Sequence, residues 1–168
     1  RVDRRQRQMC IRDRYSQCNY DIGLQLLHYN MIKGITFGAF DLFHAGHVLM
    51  FEEAKTVCEH LIVCIQTDPS IDRENKNSPV QSIVERQIQV SGCRYVDEVL
   101  IYDFEKDVLD ILNTKEWDIR IIGEEYKDQY FTGKELSQDK CHYNKREHNF
   151  SSSELRQRVA DHHKNKIS

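Results

Sequence analysis

From residue 31 onward, short apolar runs alternate with helix-like stretches, and this alternation constrains the fold more than any other feature. Ile32–Phe37 reads as a strand. Gly46–Cys58 follows with Val48, Phe51, Ala54 and Lys55 at helical spacing. Leu61–Gln66 is a continuous apolar run, the pattern of a strand buried on both faces. Thr67–Pro79 is polar, holds both prolines and reads as a loop. Val80–Ser91 is expected to be helical, Glu98–Tyr102 a strand, Lys106–Asn113 a helix and Ile119–Ile122 a strand. Gly123–Asp139 is polar and expected to be irregular, Cys141–Tyr143 forms a short last strand, and Ser152–His162 is a helix capped by Ser151 or Ser152. Strand and helix alternating at this pitch predict a parallel sheet with helices on both faces.

The first thirty residues lack this pattern. RVDRRQRQMCIRDR resembles translated sequencing-adapter text, and its alternative reading is a basic arm. Residues 1–30 are therefore expected to be a non-native or disordered extension, with the domain spanning residues 31–168. The extension carries six Arg and three Asp, while the remainder carries 18 Lys+Arg against 24 Asp+Glu. A domain with that acidic excess is a poor general binder of nucleic acid, so an anionic ligand must be held by a local cluster of donors. No apolar run has the length of a membrane span, so no membrane contact is expected. Six cysteines without CxxC pairing read as reduced thiols in a cytoplasmic protein. Cys58, Cys64 and Cys93 lie in apolar runs and read as small core residues.

The stretch GAFDLFHAGH, residues 38–47, falls between the first strand and the first helix. In such sheets ligands bind at the carboxyl ends of the strands. The helix start offers free N–H groups and partial positive charge, which suit phosphate. Gly38 and Gly46 allow close backbone approach, and His44 and His47 at i and i+3 lie on one side of the first turn. This is neither GxxxxGK[ST] nor GxGxxG. From these residues alone, three readings stand: phosphate or nucleotide chemistry, a metal site joined by Asp41, and a purely structural turn.

HAGH resembles the HxGH signature of the cytidylyltransferase-like nucleotidyltransferases. RYVDEV (94–99), IIGEEY (121–126) and KREHNFSSSELR (145–156) are similar to three further motifs of the glycerol-3-phosphate cytidylyltransferase branch. The resemblance spans residues 31 to about 158. It implies a Rossmann-like α/β fold, doubly wound, and transfer of CMP from CTP to a phosphorylated alcohol, with pyrophosphate leaving and Mg²⁺ carried with the nucleotide. Glycerol 3-phosphate is the favoured acceptor. Ethanolamine phosphate, a sugar phosphate, ATP in place of CTP, and a module without turnover are the rivals. A homodimer is implied as well.

Carried over by motif, His44, His47 and Arg146 would be catalytic. Gly38, Ala39, Phe40, Asp41, Gly46, Lys76, Gly123, Glu124, Ser151 and Ser152 would bind the nucleotide, Lys76 as a lid residue. Arg86, Arg94 and Lys106 would meet the acceptor. No residue is assigned as a metal ligand. Four departures stand out: Ala39 where the family has Thr, Glu147 in place of a hydroxyl residue, Asn149 in place of Gly, and Glu124–Glu125 in place of two Asp. Trp117 reads as an anchor before a strand. Tyr126, Tyr130 and Phe131 either pack the loop or cover the nucleotide, and His162 and His163 read as solvated.

Overall fold

The structure is a computed structural model and describes residues 31–167; the extension expected over residues 1–30 lies outside the described residues. Five parallel strands form one sheet in the order β3-β2-β1-β4-β5. They are β1 (Lys33–Gly38), β2 (His60–Gln66), β3 (Glu98–Tyr102), β4 (Ile119–Gly123) and β5 (Cys141–Asn144). The helices are α1 (Ala45–Ala54), α2 (Ile83–Ser91), α3 (Asp107–Thr114), the single turn α4 (Lys134–Ser137) and α5 (Ser152–Ile167). Strand order reverses beside β1, between its neighbours β2 and β4. In doubly wound sheets that crevice is where ligands bind.

Both faces of the sheet are covered. On one face Phe51 and Ala54 of α1 and Val90 of α2 pack on Leu61, Val63 and Ile65 of β2 and Ile121 of β4. On the other, Val108 and Leu112 of α3 pack on Ile35, Ile62 and Cys64. Trp117 joins this second cluster and donates its indole N–H to the Leu112 carbonyl at 2.8 Å, the anchoring role expected of it. β2 is buried along nearly its whole length, which explains its unbroken apolar run. Cys58, Cys64, Cys93 and Cys141 are free thiols. No helix among the described residues is long and apolar enough to cross a membrane.

The departures from the sequence reading have local causes. The helix expected from Val80 begins at Ile83, because the Val80 and Gln81 N–H groups donate to the Asp41 carboxylate instead. Ser82 and Glu85 then form a reciprocal capping box. The helix expected to reach Cys58 closes at Ala54. The segment expected to be irregular contains a 3₁₀ turn, Glu124–Tyr126, and α4. The last helix runs past His162 to Ile167.

Candidate active site

The turn after β1 is held in a costly conformation. Phe40 and Leu42 both adopt φ of +49°, a left-handed region that bulky side chains avoid at roughly 1–3 kcal/mol each. Asp41, between them and 6% exposed, supplies the restraint. Its carboxylate accepts the N–H groups of Val80 and Gln81 and the guanidinium of Arg156. Burial pushes the Asp41 carboxyl up, but those donors outweigh it and hold it below its ordinary value. Its carbonyl accepts the Ser152 hydroxyl at 3.0 Å. One residue thus ties the turn to the start of α2 and to the first turn of α5.

That restraint aims two imidazoles. His44 is the N-cap of α1, and its Nδ1 accepts the Gly46 N–H at 3.1 Å. His47 Nδ1 accepts the His44 N–H at 3.4 Å. The rings stack with centroids 4.0 Å apart, and Phe40 and Phe43 back His47. Burial, followed by the field of His44, drives the His47 pKa down to about 3. Burial, His148 and Arg146 lower that of His44. Both rings are therefore neutral near pH 7. With each Nδ1 an acceptor, the proton sits on Nε2, leaving an N–H donor on each ring. Gly46 is required by crowding: a Cβ there would meet the Cε1 atoms of His44 and His148 at 2.9 Å.

These rings open on a cavity of about 280 Å³. Its walls hold Gly46 at the start of α1, Ser151 and Ser152 at the start of α5, Gly123 at the end of β4 and Glu125 just after it, and Lys145, Arg146 and His148 after β5. Two helix N-termini, a guanidinium, an ammonium and three imidazoles converge on one space. That combination suits a polyanion. Ser151 also caps α5, its hydroxyl accepting the Glu154 N–H at 3.1 Å. Glu53 on the cavity wall pairs with His142 at 2.9 Å. Glu147 is exposed and is not among the lining residues, so its negative charge does not face the cavity.

A second cavity, of about 190 Å³, lies at the ends of β1, β3 and β4. Gly38 and Ala39 line it, with Arg73 and Lys76 of the 67–79 loop, Arg120, Tyr126 and Phe131. The end of β1 and its turn thus stand between two pockets.

The structure separates the sequence-derived set. His44, Gly46, His47, Gly123, Arg146, Ser151 and Ser152 come together around the first cavity. Gly38, Ala39 and Lys76 line the second. Phe40 and Asp41 act from behind the site, as packing and restraint. Glu124 does not line either cavity, and its neighbour Glu125 faces the first. Arg86, expected at the acceptor, is 1% exposed and donates to the carbonyls of Ala39, Gln66, Thr67 and Gln81. Four carbonyls take four of its five N–H donors, so it ties the ends of β1 and β2 to α2 from a buried position instead of meeting a ligand. Arg94 lies before β3, at the amino ends of the strands, beside Tyr95 and Glu52. Within one chain that is the end opposite the site. Lys106 follows β3 with its ammonium over the Phe104 ring, outside both linings. Sequence reasoning gave no site role to His148, and named Glu125 only as a departure from the family pattern, although both lie inside quoted motifs. It also passed over Arg73 and Arg120.

Comparison with known proteins places this geometry among relatives. A family model described as cytidylyltransferase-like matches residues 35–158. The bifunctional protein HldE of Campylobacter jejuni is 33% identical over 140 residues, covering 82% of this chain and 30% of that protein. An ethanolamine-phosphate cytidylyltransferase of Arabidopsis thaliana is 43% identical over 65 residues, 38% of this chain and 15% of that one. The chain thus spans less than a third of these curated relatives. A crystal structure of a lipopolysaccharide core biosynthesis protein from Thermoplasma volcanium superposes with a TM-score of 0.53 at 28% identity, covering 65% of this chain and 85% of that one. A bifunctional NMN adenylyltransferase/ADP ribose pyrophosphatase of Francisella tularensis shares the fold, at TM-score 0.53 and 17% identity over 76% of this chain and 42% of that one.

Proposed function

The chain belongs to the cytidylyltransferase-like family, and on that premise we propose that it transfers CMP from CTP to a small phosphorylated alcohol, with glycerol 3-phosphate the favoured acceptor. A phosphate oxygen of the acceptor forms a bond to the α-phosphorus of CTP. The bond from that phosphorus to the bridging oxygen breaks, and pyrophosphate leaves. The products are CDP-glycerol and pyrophosphate.

The observation that carries this reading is the pair of neutral, stacked histidines whose Nε2–H donors adjoin two helix N-termini and Arg146. No covalent nucleophile is needed. The protein positions two anions and stabilises charge as it moves onto the leaving group. His44, His47, Arg146 and the α1 and α5 N-termini hold the triphosphate in the first cavity. The second cavity, across Gly38 and Ala39, takes the acceptor, with Lys76 and Arg73 in its lining.

An Mg²⁺ ion fits the donor set when carried by the nucleotide. No three His, Cys, Asp or Glu groups among the described residues are arranged to hold an ion unaided. Glu125, on the cavity wall, would supply one carboxylate beside the phosphate oxygens. The ion would neutralise part of the triphosphate charge.

The homodimer belongs to this proposal too: Val84 and Ile88, one turn apart on α2 and well exposed, are apolar side chains a second copy would cover. A cytoplasmic location fits the four free thiols among the described residues of a cytidylyltransferase-like chain.

The test is pyrophosphate release by the full chain, with CTP or ATP against a panel of phosphorylated acceptors. Release with CTP and glycerol 3-phosphate supports the assignment. Release with ATP, ethanolamine phosphate or a sugar phosphate keeps the chemistry and replaces the substrate. Nucleotide binding without release under any pairing replaces the enzyme with a binding module.

A further inference from the structure

Arg120 is 4% exposed, yet it lines the second cavity. Its guanidinium lies between the rings of Phe37 and Phe131, 5.2 and 4.8 Å from their centroids. Among the described residues one of its five N–H donors is used, by the Thr132 carbonyl at 2.7 Å. No carboxylate among the described residues lies within ion-pair distance of it. An arginine so placed has no carboxylate paired with it, Glu105 acting on it only at a distance, and such a buried charge is costly inside a protein. A second unmet donor lines the same space: Arg73 Nε is buried and has no partner among the described residues. Lys76 adds a third cation. The single carboxylate in the lining, Glu105, is already paired with Arg73 at 3.2 Å.

We propose that Arg120 is the specificity-determining residue of this cavity and that it selects acceptors whose non-reacting end presents oxygen, as hydroxyls or a carboxylate, over acceptors ending in an ammonium. The inference rests on the reading of the second cavity as the acceptor's. The reacting phosphate belongs at the mouth, beside Gly38, where it meets the α-phosphorus. Arg120 departs from β4 three residues before its end at Gly123, and its guanidinium reaches the Phe131 ring and the Thr132 carbonyl in the loop that follows that strand. There it meets the end of a small acceptor turned away from Gly38. There a guanidinium forms two directed hydrogen bonds to a diol or carboxylate. An ammonium at that point would face three cations and a carboxylate already engaged. The volume, about 190 Å³, lies below the ~300–1,000 Å³ of pockets for drug-sized ligands and suits a small acceptor.

The experiment compares glycerol 3-phosphate, 3-phosphoglycerate and phosphoethanolamine with the full chain and CTP or ATP, in wild type, Arg120→Met and Arg120→Lys. In wild type, kcat/KM for the two oxygen-ended acceptors exceeds that for phosphoethanolamine by about tenfold or more. Arg120→Met raises KM for glycerol 3-phosphate by roughly 10–100-fold and collapses that ratio toward one. Arg120→Lys keeps the preference in part. A purely structural role for Arg120 would lower turnover of all three acceptors equally and leave the ratio intact; that result overturns the proposal, as does a wild-type preference for phosphoethanolamine. Should no pairing release pyrophosphate, the proposed reaction fails by itself. The inference is then judged by calorimetric binding of the same three phosphates to wild type and Arg120→Met, and equal affinities, or none, overturn it.

Discussion

Arg156 donates to Asp41 at 2.5 Å across 115 residues of sequence, fastening the last helix to the first turn. Neither residue faces a cavity, yet the pair decides where the α5 N-terminus stands relative to His44 and His47. Asp41→Asn keeps the shape but loses the charge, and leaves Arg156 a weakened partner. We expect a loss of about 1–3 kcal/mol in unfolding free energy and a several-fold rise in nucleotide KM, read by thermal unfolding and initial rates. Arg156→Met should produce the same pair of effects, and the double variant should be less than additive.

The catalytic assignments predict a different profile. His44→Ala, His47→Ala and Arg146→Ala should each lower kcat by roughly 10²–10³, with Tm least affected for Arg146, which is exposed. Single-turnover kinetics would separate this from weakened binding. An unchanged chemical step in all three would remove them from the reaction.

Acid should unfold the protein through His47. Its pKa is about 3 in the fold against an ordinary 6.5, so below about pH 6.5 the unfolded chain binds more protons. Stability is fully present above that pH and falls as pH drops toward 3. Asp41 adds a loss only lower, below 3.8, as its depressed carboxyl takes a proton. Thermal unfolding from pH 8 to pH 4 should show a falling Tm in wild type and a flatter profile in His47→Gln.

Arg86 should behave as a buried brace. Arg86→Met removes four hydrogen bonds to carbonyls and should cost about 3 kcal/mol or more, because the abandoned carbonyls stay desolvated. Circular dichroism melting reads the loss. A selective rise in acceptor KM at normal stability would instead restore it to the acceptor site.

Much of this was legible beforehand because it depends on local pattern. β2 announces itself by an unbroken apolar run, and the strand–turn–helix around HAGH by its spacing. The remaining roles depend on distance in sequence. Arg86 reads as one charge on an exposed-looking helix, because nothing in VERQ reveals that the carbonyls of Ala39, Gln66 and Thr67 converge on it. Asp41 reads as a ligand, because the Val80 and Gln81 N–H groups that consume it lie about 40 residues away. Glu124 and Glu125 are indistinguishable in sequence, and only the 3₁₀ turn decides which faces the cavity. His148 fills a variable position of its motif, yet it lies close enough to His44 to depress that imidazole's pKa. Arg120 sits in a strand whose apolar neighbours give no hint of a cavity beside it.

The two cavities draw on separate stretches of chain. One is built from residues 44–53, 123–125 and 144–152, the other mainly from 67–79, 102–108, 120–122 and 126–131. Descendants of such a scaffold can change one substrate by altering one set of segments while inheriting the other substrate intact. Divergence in this architecture should therefore run along two independent axes, and exchanging the 67–79 and 126–131 segments between relatives should transplant acceptor choice without disturbing the choice of nucleotide.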